Sequence, residues 1–284
     1  MHPELQTLTV YAPESRLRSP LSFARSIGND LAQSKDIAWC LFVRDLKAYY
    51  RDSYLGGLWA FIPVLSVTLM CTLAFQSKVI AAPELSVSYP VFVVIGYLLW
   101  QSFMDSINGP IQAIQVERST FAKVSFPPEA VILAKLGEVI FNCSIKLLLI
   151  LGILCFFKVH VSQALYLAPI AACSLIALGT FIGVLLAPIS LLYDDFSRLL
   201  NVSYGYWFFC TPIIYSAPNK GEFAAILNLN PVTPLLVSAR EMFLGVKVSH
   251  VHDFFLVSIF SLIGIIGAWI LFKLSMPYVI ERKP

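Results

Sequence analysis

Charge is what this chain has least of. Asp, Glu, Lys and Arg make up 13% of its 284 residues, against about 25% in a soluble domain. With 58% of residues hydrophobic and a mean hydropathy of +0.76, a water-soluble core is excluded and a polytopic membrane protein remains. The net charge is only +3, too little to hold a polyanion, so nucleic acid is not an expected partner. No G-x-x-x-x-G-K-[ST] run occurs, which removes the P-loop route to ATP. The cysteines lack metal-ligand spacing, and Cys71, Cys143, Cys155, Cys173 and Cys210 lie in apolar runs as small fillers. His250 and His252 could share an ion, but two ligands do not make a site. Neither an internal repeat nor a low-complexity tract is visible. Residues 1–35 carry Arg16, Arg18 and Arg25 without the compact apolar stretch of a signal peptide. They are expected to form a cytoplasmic tail.

What is present is a series of apolar runs, each near the roughly 20 residues that cross a bilayer. They are Leu58–Phe75, Pro90–Met104 with its flanks, Ala130–Phe157, Ser162–Leu192, Leu199–Ala217 and Phe254–Phe272. Six spans place both termini on one side. Thirteen Lys and Arg residues fall on the segments then read as cytoplasmic. Five fall outside, at Lys78, Lys158, Lys220, Arg240 and Lys247. The positive-inside rule therefore puts the termini in the cytoplasm. Between spans five and six, Phe223–Ala239 is uncharged but is broken by Pro231 and Pro234. Two short helices dipping into the outer leaflet fit it better than a surface loop, since non-helical backbone at depth needs shelter.

Ahead of span one lies a charged, aromatic helix. At 100° per residue, Trp39, Val43, Leu46, Tyr50 and Tyr54 share a face. Arg44, Lys47 and Arg51 lie on the adjoining flank, with Asp45 and Asp52 beyond. Such a helix can rest in the headgroup layer, its cations near lipid phosphates. A simple positive-inside anchor would explain the cations but not the ordered rings. The boundaries expected are a tail at 1–35, the interfacial helix at 36–56 and a six-span domain at 57–274. The outer segment occupies 223–245 and a cytoplasmic C-terminus 275–284.

Ionisable residues inside spans need individual reasons. Lys135 and Glu138, three apart on one face, are expected to pair or stay wet near the interface. Lys146 is deeper, either meeting a partner in the bundle or lining a polar pathway. Asp105, at the end of span two, is expected to be solvated. Tyr193-Asp194-Asp195-Phe196-Ser197-Arg198 sits at a cytoplasmic turn. Paired aspartates can hold Mg²⁺ for an isoprenoid diphosphate, but no second acidic cluster accompanies them, and a capping role is the safer reading. Tyr97, Trp100, Tyr204, Tyr206, Trp207 and Tyr215 lie in or at the ends of spans. Rings there form interface belts or packing, and some can line a conduit, since aromatic faces stack on sugars.

Taken in order, these motifs resemble the membrane subunit of a type 2 ABC exporter, in the polysaccharide, O-antigen and teichoic acid branch. Arg44-Asp45-Leu46-Lys47, Tyr50-Arg51, Ser53, Leu55-Gly56, Leu58-Trp59-Ala60 and Pro63 follow that family's entry to span one. Lys123, Phe126-Pro127 and Glu129 follow its first cytoplasmic loop, and Asp195 its second. Trp207-Phe208, Thr211-Pro212-Ile213-Ile214-Tyr215 and Asn230-Pro231 follow span five and the outer segment. Tyr49, Pro128 and Asp194 depart from it, each where a basic residue is common.

The resemblance implies an all-α integral membrane protein with six transmembrane helices, an N-terminal interfacial helix and an outer re-entrant segment. It implies a homodimer in the bacterial inner membrane, exporting a lipid-linked glycan. Two copies of a separate ABC ATPase would hold ATP and Mg²⁺, leaving this chain no cofactor, no metal and no catalytic residue. Arg44, Lys47, Tyr50, Arg51 and Tyr54 would form the gate helix against lipid headgroups. Trp59, Tyr97, Trp100, Lys146, Tyr204, Trp207 and Tyr215 would be pathway candidates. Lys35, Asp36, Glu117, Arg118, Lys123 and Glu129 would receive ATPase motion. Asn230, Pro231, Pro234 and Arg240 would close the outer mouth. A drug or small-lipid permease and, in another class, an intramembrane lipid-processing enzyme using Asp194 and Asp195 are the alternatives. A scaffold without a pathway would tolerate loss of the deep polar residues.

Overall fold

The computed structural model describes residues 20–51, 61–77, 87–121, 127–159, 163–216, 227 and 229–282. Among them every regular element is helical. In chain order these are α1 (Pro20–Arg51), α2 (Phe61–Gln76), α3 (Tyr89–Val116), the short α4 (Arg118–Phe121) and α5 (Pro128–Phe156). A 3₁₀ turn at Gln163–Leu167 leads into α6 (Ala168–Leu192). Then come α7 (Asp194–Phe209), α8 (Val232–Leu244) and α9 (Val251–Arg282).

Four of the described helices, at Tyr89–Val116, Pro128–Phe156, Ala164–Leu192 and Val251–Ile280, are long and apolar enough to cross a membrane. At 16 residues each, α2 and α7 reach only about 24 Å. Three boundaries differ from the sequence reading. The first helix starts at Pro20, inside the stretch assigned to the tail, because Pro is tolerated in a first turn and no second proline follows before Arg51. The last helix runs to Arg282 and takes in most of the expected C-terminal tail. The fifth apolar run stops being helical at Phe209, just ahead of Pro212, which cannot continue a helix.

The bundle is organised around α3, which is buried on most of its surface and contacts α2, α5, α6 and α8. Its crossing with α6 is close because the sequence supplies Gly179-x-x-x-Gly183 at the contact. A Cβ at Gly179 would collide with Ser106 Oγ, and one at Gly183 would meet the Ile107 carbonyl at 2.5 Å. Backbone approach of this kind is how membrane helices gain packing energy without a hydrophobic driving force. Phe103, Leu99, Ile107, Leu175 and Leu178 fill the middle of the bundle. At the end nearer α1, Ile114, Ile132, Val184, Leu191, Phe272 and Met276 form a second cluster. Phe255, Ile259, Leu262, Ile263 and Ile266 of α9 are exposed, as suits a face bathed in lipid.

Several hydroxyls within the helices are satisfied locally. Thr68, Thr72, Ser102, Ser258 and Ser261 each donate to the carbonyl four residues back, at 2.7–2.9 Å. No water is needed for these groups, which is the condition for placing them in hydrocarbon. Thirteen-residue α8 is too short to span, yet nearly all of it is buried against α6, α9, α3 and the 3₁₀ turn. Arg240, counted above among outside charges, is only 3% exposed.

Candidate functional site

Two polar constructions stand out, one at each end of the bundle. At the α1 end, α1 lies along α5 through small side chains. Ala38 meets Ala130 and Ala134, and Phe42 fits against Gly137 and packs edge-on to Phe141. This contact turns Arg44 inward. Its Nη2 donates to Glu117 at the end of α3 at 2.6 Å, and its Nε donates to neighbouring Asp45 at 2.7 Å. Asp45 first, then Glu117, holds the Arg44 guanidinium firmly in its charged form. Burial pushes the Glu117 carboxyl up. The hydrogen bonds from Arg44 and Thr120 outweigh it, so the group titrates below the usual carboxylate range. Lys135 pairs with Glu138 at 2.7 Å, as expected. A cavity of about 330 Å³ opens between α1, α3 and α5, lined by Arg44, Asp45, Gln112, Glu117, Lys135 and Glu138.

At the opposite end, the chain leaving α7 is tied to α8. Asn230 Nδ2 donates to the Cys210 carbonyl (3.0 Å) and to Thr211 Oγ1 (2.9 Å). Its Oδ1 accepts from Trp207 Nε1 and from the Val232 amide, both at 3.1 Å. Arg240 Nη1 donates to the carbonyls of Pro212 and Ile213 at 2.9 and 3.1 Å. The guanidinium lies 3.7 Å from the Phe92 ring centre. Gly96 makes room, since a Cβ there would meet the Ile213 carbonyl at 2.8 Å and the Arg240 guanidinium at 3.3 Å. Tyr89 donates to the Ile214 carbonyl at 2.8 Å. Carbonyls freed after Phe209 are thereby satisfied from α3 and α8, which lets irregular backbone exist at depth.

The middle of the bundle holds an ion pair, of which the sequence reading misplaced one member, Asp105. Asp105 does not lie at a helix end. The helix continues through Gly109 and Pro110 to Val116, leaving Asp105 about 16 Å from its inner end. Lys146 Nζ donates to Asp105 Oδ2 at 2.6 Å, with side chains 12% and 46% exposed respectively. Lys146 thus has its partner in the bundle, on an antiparallel neighbour too distant in sequence for spacing to reveal.

The remaining sequence candidates fall as follows. Lys47 and Arg51 are exposed on α1; Tyr50 is helical, while Tyr54 and Trp59 lie outside the described residues. Lys35 and Asp36 are exposed, Arg118 is half-buried, Glu129 is buried, and Lys123 lies outside the described residues. Trp100 is buried, its ring in edge contact with Trp207 (6.2 Å) and Phe208 (5.9 Å). Its ring lies in the core and offers no open face on the single chain. Trp207 also meets Phe103 at 5.3 Å, and Tyr97 meets Phe208 at 6.3 Å. The Tyr204 hydroxyl, buried on a half-buried residue, donates to none of the described residues, and Tyr215 donates to the Phe209 carbonyl at 2.7 Å. Pro231 occupies the N-cap of α8 and Pro234 its buried first turn. Asp195 does not cap α7. The N-cap is Tyr193, with no side-chain cap bond, and exposed Asp195 pairs with Arg198 at 3.3 Å.

Comparison with known proteins bears on what these constructions serve. The family profile described as ABC-2 type transporter matches residues 38–244. A Myxococcus xanthus O-antigen export system permease protein RfbA is 28% identical over 221 residues, covering 75% of this chain and 82% of that protein. Two Klebsiella pneumoniae proteins of the same name are 24% and 25% identical over 236 and 231 residues. They cover 82% and 78% of this chain, and 89% and 84% of their own lengths.

Proposed function

The chain belongs to the ABC-2 type transporter family, and on that premise we propose that it is the membrane-spanning permease subunit of an exporter for a lipid-linked polysaccharide. The names of its relatives, O-antigen export system permeases, support the cargo class. The absence of a P-loop in the sequence supports a separate ATPase as the source of work. We infer six spans, with α2 and α7 completed by neighbouring residues, both termini in the cytoplasm of a bacterial cell, and α8 as a re-entrant outer element. The broad exposed faces of α2 (Leu65, Leu69, Met70) and α7 (Leu199, Val202, Tyr206) favour a homodimer with the pathway between protomers.

The observation that carries this reading is the Arg44–Glu117 contact. By the family resemblance, Arg44 would belong to the gate helix and Glu117 to the segment that receives ATPase motion. Joined at 2.6 Å, they make one mechanical unit. ATP binding would draw the two ATPases together, move the α3–α5 turn, and through Glu117 tilt α1 away from the entrance. Lys47 and Arg51, exposed on α1, would meet the carrier phosphates or lipid headgroups.

The test replaces Arg44 and Arg51 with Glu in cells lacking the native chain. Surface glycan is expected to fall about tenfold, in the range of ordinary coupling energies, with membrane insertion unchanged on immunoblots. Undiminished glycan in the double variant would remove the gate-helix role.

A further inference from the structure

A polar stripe runs along α3 that the export reading has not used. Gln101, Asp105, Asn108 and Gln112 recur at intervals of four, three and four, which places them on one side of the helix. Antiparallel α5 answers with Lys135, Glu138, Asn142 and Lys146 at three, four and four. The two stripes border the same groove. Asp105 pairs with Lys146, Lys135 covers Gly109, and Gln112 lines one cavity with Lys135 and Glu138. All eight side chains are half-buried or exposed within the single chain. Asp105 keeps 46% of its side chain accessible at membrane depth. A carboxylate and a row of carboxamides do not face hydrocarbon.

We propose that the α3–α5 groove opens onto the pathway between protomers and forms its water-filled lane, holding the hydroxyl-rich glycan during passage from the cavity beside Arg44 up to the Asp105–Lys146 pair. This rests on the export reading and adds where on the chain sugar is recognised. Sugar suits the lane better than a carrier phosphate. Lys146, Lys135 and Arg44 each already face a carboxylate at 2.6–2.7 Å, so the groove is nearly neutral. Carboxamides both donate and accept, matching hydroxyls that do the same. Half-buried Tyr97 lies one turn beyond Gln101 on the same side, where a ring can stack on a sugar face.

The test uses the full chain with its ATPase in native membranes, in a background with the six cysteines replaced. Single cysteines go in by Gln101→Cys, Asn108→Cys and Gln112→Cys. Leu148→Cys and Ile140→Cys, exposed positions of α5, are the lipid-facing controls. A charged methanethiosulfonate needs a wet, ionised thiol, so the stripe is expected to react roughly tenfold faster than the controls. The adduct at Asn108→Cys is expected to block glycan export while ATP hydrolysis continues. Gln112 is exposed and carries the labelling test if deeper variants fail to accumulate. Stripe thiols as inert as Leu148→Cys, as a dry seam against a second copy would make them, overturn the lane. So does labelled Asn108→Cys that still exports. Failure of the unmodified chain to restore surface glycan in null cells would instead sink the export reading itself, on a readout independent of labelling.

Discussion

Arg44 divides its guanidinium between a neighbour in sequence and a residue at the far end of α3, and only the second bond constrains the fold. Glu117 is the partner whose titration matters. Its carboxyl sits below the ordinary Glu value of about 4.3. A depressed acid stabilises the folded state above the unfolded value and loses that contribution as pH falls through the folded one. Amide protection factors in the C-terminal half of α1, corrected for the intrinsic pH dependence of exchange, are therefore expected to hold from neutral pH into the ordinary Glu range and to fall only as the pH drops below it. Glu117→Gln should raise exchange at neutral pH and flatten the profile. An unchanged profile in that variant would show that α1 is held by Phe42 and the alanine contacts alone. Arg240 makes a sharper case. Removing its guanidinium leaves two buried carbonyls unpaired, each costing about 1–3 kcal/mol. Arg240→Leu should lower the melting temperature of the detergent-solubilised protein markedly. Arg240→Lys should recover only part of the loss, since an ammonium cannot bridge two carbonyls and stack on Phe92 together.

At the scale of elements, the α3–α6 crossing depends on two missing side chains. Gly183→Val would push the helices apart against the Ile107 carbonyl and is expected to cost about 2–3 kcal/mol, read as reduced thermal stability. Gly152→Val, where a new Cβ meets nothing within 4 Å, should be nearly neutral. Helix existence was legible in the sequence because apolar runs of membrane length have few other solutions. Helix ends were not. Met104 looked like the end of a span because Asp105 follows it, yet a distant lysine on α5 neutralises that aspartate. Ala217 looked like the end of another, yet Pro212 had already stopped α7. The Lys135–Glu138 pair was readable because both partners lie on one helix. Asp105–Lys146 and Arg44–Glu117 were not, because only the packing of α3, α5 and α1 brings them together. The Gly179-x-x-x-Gly183 spacing was a visible signal that the reading passed over.

For the whole molecule, the proposed function has work entering from a partner chain. Purified without a companion, it is expected to release no phosphate from ATP above background. Turnover that follows this polypeptide through a gradient, and vanishes on its removal, would overturn the division of labour. The clamp at the far end restricts how the backbone after α7 can move. Asn230 and Arg240 grip the backbone between Cys210 and Ile213 from one side, and Tyr89 grips Ile214 from the other. Backbone held this way has little freedom to bend by itself. Any displacement there would carry α7, the turn and α8 together, as a single leaf.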